Sequence, residues 1–194
     1  MIRSLLIGLF LMAGLGCAST GTNSFGVAVI SQEEYEARIE PYSKRTEKYQ
    51  GLLNTLHLRG TLLNSQVLES QLLQKARLYQ WDEGTYNTER EKVNQDMSRA
   101  SQVFISLYTP DRKHDNLDRN QTMWKIFLDA GGRRFEGSVK KIKLLPNEVQ
   151  ALYPDHTRFG TPYIVTFPVP MKSIEGQAPR FTLTGTVDSA TLQF

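Results

Sequence analysis

Hydrophobic and polar positions alternate along this chain with changing period, and each change marks a new element. Leu5 to Leu15 is almost wholly apolar, interrupted only by Gly8 and Gly14. Ala18 to Ser24 (ASTGTNS) is small and polar. Ile30, Ser31, Glu34 and Tyr35 then stand in the order of a capped helix start: Ser31 as N-cap, Glu34 as its capping-box partner, and Ile30 with Tyr35 as a hydrophobic staple. From there Tyr35, Tyr42 and Tyr49 recur every seven residues with Ile39 beside them, a stripe that predicts a helix over about 32–50. Pro41 should kink it or start a second helix, because proline removes a donor and clashes with the preceding turn. The stripe is read first as packing on its own domain and second as a partner-binding face, tyrosine being enriched at interfaces.

From Leu52 to Leu63 the period falls to two, with Leu56, Leu58 and Leu62 opposed by Thr55, His57, Arg59 and Thr61, which predicts a strand. Helical spacing returns over 65–80 through Val67, Leu68, Leu72, Leu73 and Ala76, and again, in far more polar form, over 85–100, where Val93 and Met97 form an i, i+4 pair. Gly84 between them suits a turn or C-cap. The remainder is a series of short β-like runs, 102–108, 123–128, 139–145, 163–167, 180–186 and 190–194, punctuated by prolines at 110, 146, 154, 162, 168, 170 and 179. The expected architecture is α+β: an antiparallel β-sandwich, immunoglobulin-like or similar, with an N-terminal helix and an inserted helical hairpin. The expected organisation is a signal peptide over 1–16, a tether over 17–24, and one domain over 25–194 whose β-rich part is 101–194.

The N-terminus itself, with Arg3 before an apolar run far short of the roughly 20 residues of a membrane-spanning helix, has the charge, length and order of a secretory signal. Its end, Gly14-Leu15-Gly16-Cys17, resembles the lipobox of bacterial lipoproteins, with leucine two residues before the cysteine where the usual pattern has it three before. The resemblance implies a diacylglycerol on the Cys17 sulfur, removal of the signal and acylation of the new amino group. Ala18 after the cysteine, instead of aspartate, implies sorting to an outer membrane, with the domain facing the periplasm. Two or more acyl chains hold a protein on a membrane stably where one does not. Seven flexible residues span only about 15 Å, so the folded domain is expected close to its membrane. Cys17 is the only cysteine, which excludes a disulfide framework.

A looser resemblance lies in FISLYTPD (Phe104 to Asp111), WKIFLD (Trp124 to Asp129), LYPDHTRFGTPYIVTFP (Leu152 to Pro168) and FTLTGTVDSATLQF (Phe181 to Phe194). These segments resemble the C-terminal β region of a set of uncharacterised bacterial envelope lipoproteins. That likeness implies a fold and no activity.

Composition narrows the picture further. Hydrophobic residues at 40% and charged residues at 22% are ordinary globular values. The formal charge of +3 falls by one when Arg3 leaves with the signal, too little to point to nucleic acid. No G-x-S-x-G elbow, P-loop, H-E-x-x-H helix or dinucleotide-binding glycine pattern occurs, and no cofactor or metal is expected. His57, His114 and His156 are far apart in sequence, and His57 falls among the solvent-facing positions of its strand. Asp111, Asp115, Asp118 and Asn120 in DRKHDNLDRN carry the oxygen chemistry of a calcium site, but the interleaved cations and the missing turn glycine favour a solvated loop. In RRFEGSVKKIK, Arg133, Arg134, Lys140, Lys141 and Lys143 oppose a lone Glu136. Gly131 and Gly132 ahead of them suggest a basic hairpin, either facing anionic lipid headgroups or protecting a sheet edge.

Two classes of function therefore stand, with a small-ligand carrier as the remainder. The favoured one is a non-enzymatic, lipid-anchored envelope module that binds a protein, glycan or anionic lipid. The second is an envelope hydrolase working through carboxylates of the 111–118 loop; the carrier would have an apolar cavity under its helices.

Overall fold

The computed structural model describes residues 21–194; the signal peptide expected over 1–16 and Cys17 lie outside them. Alternation of side chains is what builds the main layers. Strand β4 (Leu53–Leu62), β5 (Ser101–Tyr108) and β9 (Thr161–Phe167) form the centre of a five-stranded antiparallel sheet, flanked by β3 (Ser43–Gln50) and β8 (Ser138–Lys141) in the order β3-β4-β5-β9-β8. A four-stranded antiparallel sheet runs β11-β10-β6-β7, from β6 (Lys125–Ala130), β7 (Arg133–Glu136), β10 (Arg180–Thr184) and β11 (Ser189–Gln193). Leu56 and Leu58 of β4, Val103, Ile105 and Leu107 of β5, and Tyr163, Val165 and Phe167 of β9 share one core with Ile126, Leu128, Phe181, Leu183, Ala190 and Leu192 of the second sheet. Alternate residues of the central strands of both sheets are thus spent on one interface, the arrangement of a sandwich.

The second face of the larger sheet is also buried. Phe104 and Ile164 pack there with residues of α1 (Gln32–Ile39), α2 (Ser65–Tyr79) and α4 (Pro146–Leu152). Because β5 is covered on both sides, it reads QVFISLY, apolar almost throughout. The remaining helix, α3 (Glu83–Arg99), has no buried residue, so the second arm of the helical hairpin is solvated, as its polar sequence requires. A two-stranded hairpin, β1 (Gly21–Thr22) with β2 (Ala28–Val29), docks on α2, completing a mixed α+β fold of four α-helices and three antiparallel sheets among the described residues.

Several boundaries differ from the sequence expectation. Ser31 does cap α1, its Oγ accepting from Glu34 N–H at 3.1 Å, and Ile30 and Tyr35 share one buried cluster. The Glu34 carboxylate, however, bonds Arg38 at 2.6 Å. The helix predicted over 32–50 ends at Ile39; Pro41 falls in a single 3-10 turn, and residues 43–50 form β3. Pairing with β4 over the whole of β3 outweighs the heptad recurrence of tyrosine, which is no helical stripe: Tyr35 is buried, Tyr42 half-buried and Tyr49 exposed. Gly84 lies in the first turn of α3; the turn is made instead by Gln80, left-handed at φ 50°. The strand predicted over 139–145 stops at Lys141, and Pro146 opens the unforeseen α4. Residues 21–24, counted with the tether, belong to the β1–β2 hairpin.

The basic segment is not one hairpin. Gly131 and Gly132, both at positive φ (56° and 73°), make the two-residue turn between β6 and β7. The chain then passes from one sheet to the other at Gly137, where a Cβ would stand 2.5 Å from Val165 Cγ1 and 2.8 Å from Phe167 Cε1. Only glycine lets the backbone approach the core this closely.

Candidate functional site

Burial is so complete in both apolar layers that the apolar residues left in solvent become informative. β4 pairs with β5 only from His57 to Leu62, whereas β3 and β4 stay paired out to Gln50 and Leu53. The tip of β3–β4 is therefore a two-stranded finger beyond the rest of the sheet. Gly51 turns it at φ 60°. Tyr49, Leu52 and Leu53 are 56%, 101% and 75% exposed there, so Leu52 is as open to water as in an extended peptide. Behind the tip, Tyr49 stands 6.5 Å from His57 and His57 5.3 Å from Tyr108, ring to ring, making a half-exposed aromatic row. Thr55 at its root is hydrogen-bonded to Asp188, the residue before β11, which ties the finger to the second sheet.

The sequence placed Tyr49 on a helix and Leu52 at the start of a strand, and so missed the finger. The available signal was Leu52-Leu53 directly after Gly51, two adjacent apolar residues at the turn of a period-two segment.

The five basic residues fall in separate places. Arg134 lies on β7 and forks onto Asp129, at 2.7 Å from Nε and 2.9 Å from Nη2. That hydrogen bonding holds the Asp129 carboxyl below the usual carboxylate range. The Arg134 guanidinium also lies 5.1 Å over Phe127, and that of Arg133 5.4 Å over Phe135. Lys140 and Lys141 are on β8, an edge strand of the other sheet, and Lys143 follows it; all three are exposed.

Two carboxylates of the 111–118 loop, Asp111 and Asp115, are already engaged within the fold. Asp111 accepts from Lys113 N–H at 3.0 Å and caps a 3-10 turn. Asp115 is sequestered by Tyr163 OH at 2.8 Å, the Thr161 hydroxyl, and Arg112 at 3.4 Å. Burial and the neighbouring Asp115 push the Tyr163 phenol far up, so it stays a donor. No group of three or more metal-ligating side chains is gathered among the described residues. A serine–histidine pair does exist, Ser106 Oγ and His156 Nδ1 at 2.9 Å, but both residues are buried beneath the helical layer. Under the helical hairpin, the cleft between Leu63, Leu68, Val93 and Met97 has a volume of about 40 Å³, room for about one water.

Burial holds the His156 imidazole below its ordinary value, which gives a pH prediction with a definite sign. The unfolded chain takes up a proton near the ordinary histidine pKa of about 6.5, while the folded state resists it. Stability contributed by neutral His156 is present above that pH and is lost as pH falls through it. The urea midpoint should therefore drop more between pH 7.5 and 5.5 in the native chain than in His156→Gln; equal drops would refute the assignment.

Comparison with protein-family models, curated proteins and solved structures finds no match to this chain.

Proposed function

We propose that this protein is a lipid-anchored bacterial envelope lipoprotein that works as a non-enzymatic binding module, contacting a partner protein through the β3–β4 finger. The observation that carries the reading is Leu52, fully exposed beside Leu53 and Tyr49 in a fold whose other large apolar strand residues are buried or half-buried. Such a tip fits an apolar cleft, in which a handful of buried anchors supply most of the binding energy. The five-on-four arrangement of sheets suits this role, and we take it as immunoglobulin-like in the broad sense of two antiparallel sheets about one core.

The anchor is the Cys17 lipid implied by the lipobox resemblance, placing the domain in the envelope, at the periplasmic side of an outer membrane. No described helix is long and apolar enough to cross a membrane. Against the hydrolase reading, Asp111 and Asp115 already serve as acceptors within their own loop and sheet. Arg133, Arg134, Lys140, Lys141 and Lys143 do not form one anion-binding surface in this reading; the three lysines lie together on one sheet edge.

The test is a photoreactive amino acid at position 52, with one at position 91 on solvated α3 as control, irradiated in intact cells. A single cross-linked protein at 52, absent at 91 and lost in Leu53→Ser, is the expected result. Adducts to lipid or glycan alone, or none, would reject the finger as the protein-binding element. The mass of the Cys17 peptide tests the anchor separately.

A further inference from the structure

A second set of exposed apolar residues lies where the described chain begins. We propose that the edge formed by Phe25, Tyr79, Trp81, Leu144 and Leu145 rests on the surface of a phospholipid bilayer and fixes the orientation of the domain. This rests on the reading of Cys17 as the lipid anchor.

The residues come from three segments, and a continuous chain of contacts joins them. The side-chain amide of Asn23 donates to the Trp81 carbonyl at 2.8 Å and the Ala76 carbonyl at 3.2 Å, while Ser24 Oγ donates to Gln80 Oε1 at 2.8 Å. These bonds hold the turn bearing Phe25 against the end of α2. The Tyr79 and Trp81 rings stack at 6.1 Å. Tyr79 OH donates to Glu148 Oε1 at 3.2 Å, and the backbone N–H of Leu145 donates to Glu148 Oε2 at 3.0 Å. The polar groups of the edge are thus tied to one another, and Phe25, Tyr79, Leu144 and Leu145 remain in solvent.

Position decides the occupant. Gly21, in the hairpin that carries Phe25, is four residues from Cys17. Four residues reach at most about 14 Å. A lipid on Cys17 therefore brings this edge to the membrane. The chemistry agrees: tryptophan and tyrosine favour the headgroup level, and Lys140, Lys141 and Lys143 lead directly into Leu144, with no ion pair among the described residues. Cations so placed are attracted to anionic headgroups. The finger, on β3, occupies the opposite edge of the five-stranded sheet from β8, about 19 Å away at the usual strand spacing. Contact of one edge with lipid leaves the other free for a protein.

Cys17 is the only cysteine, so the chain from Cys17 onward can be coupled to a maleimide-bearing phospholipid in vesicles of phosphatidylethanolamine and phosphatidylglycerol, whatever the cell attaches there. Brominated acyl chains quench tryptophan at the membrane surface. Trp124, buried in the sandwich core, supplies a constant background. Coupled native chain should lose at least a third of its emission on brominated vesicles. The Leu144→Glu, Leu145→Glu double variant, equally coupled and with unchanged circular dichroism, should lose several-fold less. Emission of the coupled native chain unchanged by bromination would overturn the proposal, as would quenching indifferent to the double variant. Dimerisation of the uncoupled chain that disappears in that variant, without quenching, would overturn it in favour of a second copy. An unmodified Cys17 peptide from cells would refute the anchor alone, leaving the vesicle result to judge the edge.

Discussion

Trp124→Ala is expected to cost about 3 to 5 kcal/mol, towards the upper end of what a large-to-small change in a core produces. The indole is 3% exposed in the core shared by the two sheets, and its N–H donates to the His114 carbonyl at 2.7 Å. Truncation would leave both a cavity and an unpaired acceptor. The surroundings are fitted to the ring: a Cβ at Gly185 would stand 2.7 Å from Trp124 Cε3. Against a typical total of about 5 to 15 kcal/mol, the loss should shift the urea midpoint far to the left. An unchanged midpoint would mean that the ring is not a core element. Because His114 belongs to the loop that carries Asp111 and Asp115, the variant should also expose that loop to proteolysis.

Trp124 was legible in the sequence because the alternation that follows it, Ile126 and Leu128 inward, is local. The same holds for β4, β5, β9, β10 and β11, whose period-two or wholly apolar runs match the observed strands within one or two residues. What failed was what pairing across the chain decides. Residues 43–50 contain little that is apolar and only become a strand because β4 lies beside them. Residues 133–141 looked like one arm of a hairpin, yet Gly137 splits them between two sheets. That division depends on Val165 and Phe167, more than twenty residues later, and no window around Gly137 contains it.

The candidate site was harder to read for the same reason. Exposure of Leu52 follows from β5 stopping short at Tyr108, opposite His57, which is a property of another strand. The edge around Phe25 joins residues 25, 79, 81, 144 and 145 through Glu148 and Asn23. Its lysines were visible as a cluster, but their apolar neighbours were assigned to a strand interior. Charge runs are local and show in a sequence; the absence of a covering partner is a fact about the whole fold.

Phe104→Ala should be as damaging as the loss of Trp124, and for a different layer. Phe104 is 1% exposed on the helix-covered face of β5, stacked on Tyr153 with centroids 3.7 Å apart and planes within 4°. Its removal should cost about 3 to 5 kcal/mol, whereas Phe104→Leu, which keeps most of the volume, should cost less than about 1.5 kcal/mol beyond the stacking itself. The two variants separate packing from ring geometry, since only packing loss grows with the void. Phe104 also lies edge-on to His156 at 6.3 Å. Opening that face to water in the alanine variant relieves the desolvation that keeps His156 neutral, so its acid sensitivity should flatten along with its stability. A variant that loses stability yet keeps the full native pH slope would show that His156 is shielded by the helices alone, and that Phe104 and the Ser106–His156 pair are independent supports of the helical layer.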